Sequence, residues 1–123
     1  MDGSHDDDFE QPVLDRAVAL EQAAGDPDIL RDVLQLVEDS CNECLAAIQA
    51  AAANREVDRL RQAAHRLKGS LVSVAAGPAG DAAAAVEAAA RRDDLTAACA
   101  AIPALEREIE RLRPVLRELG QRG

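Results

Sequence analysis

The spacing of apolar residues in three long segments constrains the fold most strongly. In each segment apolar side chains recur every three or four residues, which places them on one face of an α-helix. The three sets are Leu30, Val33, Leu34, Val37, Cys41, Cys44, Leu45 and Ile48; Val57, Leu60, Ala64, Leu67, Leu71 and Val74; and Ala98, Ile102, Leu105, Ile109, Leu112, Leu116 and Leu119. The pattern predicts long helices, each burying one face.

Helix-breaking and capping residues divide the chain between these segments. Gly25 ends a short first helix, and Asp26 and Pro27 are suited to the N-cap and first position of the next. The expected helices cover about residues 12–24, 27–53, 55–75, 78–91 and 94–119. Pro103 and Pro114 fall inside the last helix, where each removes a backbone donor, so we expect a kink or a split there.

Composition and connection lengths extend this interpretation to a fold. Hydrophobic residues make up 48% of the chain, yet it has one Phe and no Trp or Tyr, so the core must be aliphatic and alanine-rich. Short connections favour antiparallel neighbours. We therefore predict an all-α protein, an antiparallel up-down four-helix bundle with a short N-terminal cap helix, over residues 11–120. Residues 1–10, which include His5, are predicted to be a disordered acidic tail.

Charge and hydropathy exclude several classes of function. The net charge of −9 argues against binding nucleic acid, which needs a basic surface. No apolar stretch is long enough to span a bilayer, and no signal peptide is evident, so we expect a cytoplasmic protein with no membrane association. Cys41, Cys44 and Cys99 lie on or beside apolar helix faces and are predicted to be core residues rather than redox or metal ligands.

One histidine lies in the middle of a predicted helix but away from its apolar stripe. At about 100° per residue, His65 falls roughly 130° from the centre of the stripe, so it should face solvent. Its helical neighbours are Arg61, Gln62, Lys68, Gly69 and Val72. Glycine in a helix costs about 1 kcal/mol relative to alanine, so Gly69 needs a reason outside helix formation.

These neighbours suit a phosphorylated imidazole. A neutral imidazole is a nucleophile near neutral pH. Lys68 and Arg61 offer positive charge to a phosphoryl group, and Gln62 offers a hydrogen bond. Gly69 leaves room for a partner, and Val72 adds an apolar contact. Ser70 lies on the other flank, where packing or hydrogen bonding is expected. The segment lacks the phosphate-binding loop or catalytic triad of a complete enzyme.

The segment His65-Arg66-Leu67-Lys68-Gly69-Ser70 resembles the H-x-L-K-G-S signature of histidine-containing phosphotransfer (HPt) domains, and the helix layout is similar over about residues 10–119. The resemblance implies that His65 accepts a phosphoryl group from a receiver-domain aspartate and passes it to another. It implies that Lys68 supports the phosphoryl group and that Gly69 leaves room for the partner to reach His65. Our candidates for partner contacts are Arg61, Gln62, Arg66 and Val72.

The resemblance also implies partners and cofactors. Response regulator receiver domains and a hybrid histidine kinase would be the partners. The protein would have no metal or cofactor of its own, because the receiver would supply Mg²⁺ and most of the catalytic machinery. We therefore expect a phosphorelay intermediate rather than an enzyme, and a monomer.

One residue departs from the family pattern, and two other interpretations remain open. Ala75 stands where glycine is usual after the signature, and Gly77-Pro78 follows later.

The main alternative is a non-phosphorylated helical adaptor, a degenerate relative that binds receivers or a kinase. The other is a homodimeric histidine phosphotransferase, which is disfavoured because one chain already supplies four long helices.

Overall fold

The structure, a computed structural model, describes residues 12–122 and, within them, consists of five α-helices. They are α1 (Arg16–Gln22), α2 (Pro27–Ala53), α3 (Val57–Val72), α4 (Gly77–Arg91) and α5 (Leu95–Arg122). The predicted all-α fold is confirmed. The tail predicted at residues 1–10 lies outside the described residues.

The four long helices form a closed antiparallel bundle. Each packs against two neighbours, in the order α2, α3, α4, α5 and back to α2, while α1 lies against α2. Leu and Ile side chains from α2, α3 and α5 fill the centre of the core. Helix α4 contributes mainly alanines, with Val86 as its one large apolar residue, which is fully buried.

Capping explains where the first two helices begin. The carboxylate of Asp26 accepts hydrogen bonds from the backbone N–H groups of Asp28 and Ile29, so α2 starts at Pro27 as predicted. Helix α1 does not start at Pro12. The Asp15 carboxylate accepts a hydrogen bond from the Val18 N–H at 3.1 Å, so Asp15 is the N-cap and the helix begins at Arg16.

The helices differ from the prediction in two further features. Helix α3 stops at Val72 rather than 75, because Ala75 adopts a left-handed conformation with φ of 55° and the Ala76 N–H bonds back to the Leu71 carbonyl at 3.0 Å. Helix α5 runs continuously through Pro103 and Pro114, so neither proline splits it. Both prolines are exposed to solvent. In the described part of the chain, no helix is both long and apolar enough to cross a membrane.

Candidate functional site

His65 lies on the outer surface of α3, as its position in the helical pattern predicts. Its side chain is 59% exposed, whereas Ala64 and Leu67 beside it are fully buried. Gly69, one turn further along, is also at the surface, and a Cβ atom added there would meet nothing within 4 Å. The fold itself therefore does not require a glycine at this position.

A buried carboxylate on α4 holds the histidine ring. The Oε2 atom of Glu87 lies 2.8 Å from His65 Nδ1, and its other oxygen, Oε1, lies 2.9 Å from Lys68 Nζ. The Arg91 guanidinium contacts Oε2 at 3.0 Å from one turn further along α4. The Glu87 side chain is only 5% exposed. Three basic side chains therefore converge on one buried carboxylate.

The charge state of Glu87 follows from these contacts. Burial by itself raises the pKa of the Glu87 carboxyl, but hydrogen bonds from Lys68 and His65 outweigh burial, and the pKa is held below its ordinary value. Glu87 is therefore ionised at neutral pH and can only accept hydrogen bonds.

An ionised Glu87 fixes the tautomer of the neutral His65 ring. Because the carboxylate accepts, Nδ1 carries the proton and donates it to Glu87. The lone pair of the ring is then on Nε2, which has no hydrogen-bond partner among the described residues. The geometry presents Nε2 as the nucleophilic atom of the ring.

The structure brings Lys68 to His65 as the sequence predicted, but through a residue that the sequence analysis missed. Neither Glu87 nor Arg91 was among the predicted site residues. A weak signal was present: Gly80, Ala83, Glu87 and Ala90 follow a 3, 4, 3 spacing, and all four are buried. A charged residue on a buried stripe needs hydrogen-bonding or charged partners. The sequence does not reveal which residues of α3 supply them, because it does not give the register of α4 against α3.

The predicted partner-contact residues surround the ring without joining this cluster. Gln62 and Arg66 are exposed, Arg61 is partly buried, and Val72 is 57% exposed. Neither arginine forms an ion pair with another described residue. Their side chains are therefore available at the surface.

An apolar groove begins beside Lys68. It has a volume of about 420 Å³ and lies between α1, α3 and α4. Val18 and Val72, both exposed, border it, and small residues including Gly80 form its wall. The groove extends the surface around His65 towards the end of the bundle that carries α1.

Ser70 and the cysteines have structural positions. The Ser70 hydroxyl lies 2.8 Å from that of Ser40, so it links α3 to α2, in agreement with the predicted hydrogen-bonding role. Cys41 and Cys44 are buried as predicted, and burial raises the pKa of the Cys41 thiol to about 11. Cys99 is partly buried. Across residues 12–122, no group of three or more His, Cys, Asp or Glu side chains is placed to hold a metal ion.

Comparisons with known proteins identify the family to which the chain belongs. The sequence profile of the Hpt domain matches residues 32–114, and a search of curated proteins gave no match. The crystal structure of histidine-containing phosphotransfer protein B (HptB) from Pseudomonas aeruginosa PAO1 is similar, with a TM-score of 0.84 and 27% identity over 93% of this chain and 99% of that one.

A rice protein assigned to the histidine-containing phosphotransfer proteins shares the fold, with a TM-score of 0.76 and 18% identity, covering 95% of this chain and 86% of the rice chain. The family profile covers most of the described residues, including the whole of α3 and α4, which carry His65 and Glu87. The chain therefore belongs to the Hpt domain family, whose members are phosphotransfer carriers in phosphorelays.

Proposed function

We propose that this protein carries a phosphoryl group on Nε2 of His65 and shuttles it between receiver-domain aspartates in a multistep phosphorelay. The hydrogen bond between His65 Nδ1 and Glu87 carries this proposal, because it leaves the Nε2 lone pair exposed to a partner. Membership of the Hpt domain family supports the reaction class.

The chemistry of the proposed step is a displacement at phosphorus. Nε2 of the neutral ring attacks the phosphorus of an aspartyl phosphate on the receiver. An N–P bond forms, the P–O bond to the aspartate breaks, and the aspartate carboxylate leaves with the electron pair. The ring keeps its Nδ1 proton and becomes positively charged. Ionised Glu87 beside Nδ1 stabilises that charge as it develops.

The reverse transfer uses the same groups. The positively charged ring is a good leaving group from phosphorus, so a second receiver aspartate can take the phosphoryl group. The protein contributes the nucleophile and its orientation, and we expect no cofactor of its own. The receiver would supply Mg²⁺ and the remaining catalytic groups, so this chain acts as a relay intermediate rather than an enzyme.

Lys68 supports the phosphoryl group in this scheme. Its ammonium has three N–H donors, and the contact with Glu87 Oε1 holds it next to the ring while other donors remain free. Charge-assisted hydrogen bonds of this kind are stronger than neutral ones. Lys68 is one-third exposed, so a phosphoryl group on the ring can be reached from its position.

The surface around His65 suits docking of a folded partner. Gly69 leaves open space that the fold does not need, which supports its proposed role in giving the partner access to the ring. Val72 offers an apolar contact, and Arg61, Gln62 and Arg66 form a polar rim. Receiver domains and a hybrid histidine kinase are the partners that we propose for this surface.

The test is phosphoryl transfer from a labelled receiver. After incubation with a phosphorylated receiver, the protein should carry phosphate that is labile in acid and stable in alkali, and the label should disappear in His65→Gln. The chain has only two histidines, so His5→Gln is a matched control that should retain the label. Binding without any label on the wild-type protein would support the adaptor instead.

A further inference from the structure

The groove between α1, α3 and α4 exposes apolar surface next to Lys68. Val18 and Val72, which border it, are two of the four large apolar side chains that are exposed among the described residues. Small residues such as Gly80 and Ala84 line the rest of it. Apolar surface in contact with water favours burial, so the groove suits an apolar side chain presented by another segment.

The first described residues join the bundle at the edge of this groove. Leu14 is buried in the core, and the Asp15 N–H donates a hydrogen bond to the Ala75 carbonyl at 3.0 Å. Asp15 and Ala75 both line the groove. The N-terminal segment, residues 1–11, is therefore attached to the bundle next to the groove.

The N-terminal segment combines one large apolar side chain with strong negative charge. It contains Phe9, the only Phe, Tyr or Trp in the chain, together with five carboxylate side chains and no Lys or Arg. Three of the carboxylates, those of Asp6, Asp7 and Asp8, directly precede Phe9. The segment therefore offers a group for an apolar groove and, beside it, groups for a cation.

Helix α3 carries the complementary charge. It has four basic side chains and one acidic side chain, so its net charge of +3 is the highest of the five helices. Lys68 lines the groove, and Arg66 is exposed and forms no ion pair with another described residue. Helix α2, by contrast, has five acidic side chains and one basic side chain. Attraction between opposite charges therefore favours α3 over α2 as the surface that the N-terminal segment meets.

The length of the N-terminal segment fits the groove. An extended chain spans about 3.3 Å per residue, so the six residues from Asp15 back to Phe9 reach about 20 Å. Lys68 and Ala75, which both line the groove, are seven residues apart, or about 10 Å at the rise of a helix. Phe9 can therefore enter the groove while the aspartates before it reach Lys68.

We propose that residues 6–11 fold back into the groove. Phe9 packs between the two exposed valines, and the three aspartates that precede it face Lys68. The docked segment is an ordered state of a tail whose composition favours disorder in isolation. Because the segment and the groove belong to one chain, their effective concentration is in the millimolar range, so weak docking is enough to occupy the groove.

Docking makes the N-terminal segment an intramolecular competitor of the receiver. The groove extends the surface around His65, so a docked segment covers part of the surface that the partner meets. A receiver can bind only the chains whose surface is open, and its apparent affinity falls by that open fraction. This effect on transfer rests on the proposed function, whereas the docking itself does not.

NMR tests the docking without any phosphotransfer. Phe9 carries the only phenyl ring in the chain, so NOEs from its ring protons to the methyl groups of Val18 and Val72 report this contact alone. We expect these NOEs in the wild-type protein, and we expect Phe9→Ala to shift both sets of methyl resonances. Ile29→Ala is the matched control, because Ile29 is also exposed but lies on α2 outside the groove.

The contribution of charge is tested by three substitutions made together, Asp6→Asn, Asp7→Asn and Asp8→Asn. Loss of the negative charge should weaken the NOEs, and so should about 1 M salt, at which the Debye length falls to about 3 Å. A sample that mixes isotope-labelled and unlabelled chains identifies the source of the contact. NOEs between chains would overturn the intramolecular docking and assign the groove to a second copy.

Transfer kinetics test the competition. For a groove that is occupied about half to four-fifths of the time, Phe9→Ala should lower KM for the receiver about two- to fivefold and leave kcat unchanged. The triple aspartate variant should lower KM in the same direction. Ile29→Ala should keep the wild-type KM, because it removes apolar surface elsewhere.

The outcomes separate the docking from the proposed function. If Phe9 gives no NOE to either valine and Phe9→Ala leaves their methyl resonances in place, the docking is wrong while the proposed function stands. NOEs together with an unchanged KM would overturn the competition. If the wild-type protein acquires no phosphohistidine, the proposed function and the competition fail together, and the NOEs still decide the docking.

Discussion

At the scale of single residues, Glu87 fixes the tautomer of the neutral His65 ring. The signature around His65 predicts a nucleophile and a supporting cation, since both lie within one turn of the same helix. Glu87 lies 22 residues away on α4, and only the packing of α4 against α3 brings it within 2.8 Å of the ring. The register of two helices depends on side-chain packing, so the sequence pattern alone did not reveal this contact.

Glu87→Gln tests this dependence. Glutamine keeps the size of the side chain but loses the charge, and its amide can donate to Nδ1, which would move the ring proton to Nε2. We expect phosphotransfer to slow by about 10- to 100-fold, the loss typical of metal-binding histidines that lose their carboxylate partner. Glu43→Gln, at an exposed position on α2, should transfer at the wild-type rate. Wild-type transfer by Glu87→Gln would contradict the role of the carboxylate.

The same variant has a predicted pH dependence in its stability. The pKa of Glu87 is lowered by folding, so its ionised form stabilises the folded state at pH values above the ordinary value near 4.5. That contribution is lost as the pH falls through the lowered pKa. The difference in free energy of unfolding between wild type and Glu87→Gln, measured with urea, should therefore be larger at neutral pH than in acid.

At the scale of helices, local sequence predicts a helix boundary well where a residue strongly prefers one position at a helix end. Asp26 and Pro27 determine the start of α2, and the prediction was correct there. The end of α3 was predicted wrongly because alanine has the highest helix propensity, so Ala75 and Ala76 gave no signal for termination. In the structure, Ala75 instead adopts the left-handed conformation that glycine usually takes at helix ends.

Ala75→Gly tests the energetic consequence. A left-handed conformation costs a residue with a Cβ atom about 1–2 kcal/mol, and glycine avoids this cost. We expect a gain of about 0.5–1 kcal/mol in the free energy of unfolding, because the greater freedom of glycine in the unfolded chain offsets part of the benefit. Ala85→Gly, at an exposed position inside α4, should instead destabilise by about 1 kcal/mol. Destabilisation by both variants in thermal melts would contradict the strain at Ala75.

At the scale of the whole molecule, the bundle follows from the apolar stripes and the short connections, both of which the sequence contains. The predicted stripes supply the buried core, and the site lies on the outer face of the α3–α4 pair. The overall charge of −9 conceals the basic character of this face. Net charge averages over the surface, so it could not predict that Lys68 and Arg91 meet at one carboxylate.

The closed bundle also predicts the oligomeric state. A single chain supplies all four helices of the core, and obligate dimers bury more than about 2,000 Å² of largely apolar surface. The exposed large apolar side chains in the described residues are only Val18, Ile29, Leu36 and Val72, spread over three helices. We therefore expect sedimentation equilibrium to give the mass of one chain, 13.0 kDa, independent of concentration. Leu36 is the most exposed of the four, at 66%, so Leu36→Glu is the variant that tests for an interface. A wild-type dimer that this substitution converts to a monomer would contradict the expectation and place an interface between copies on α2.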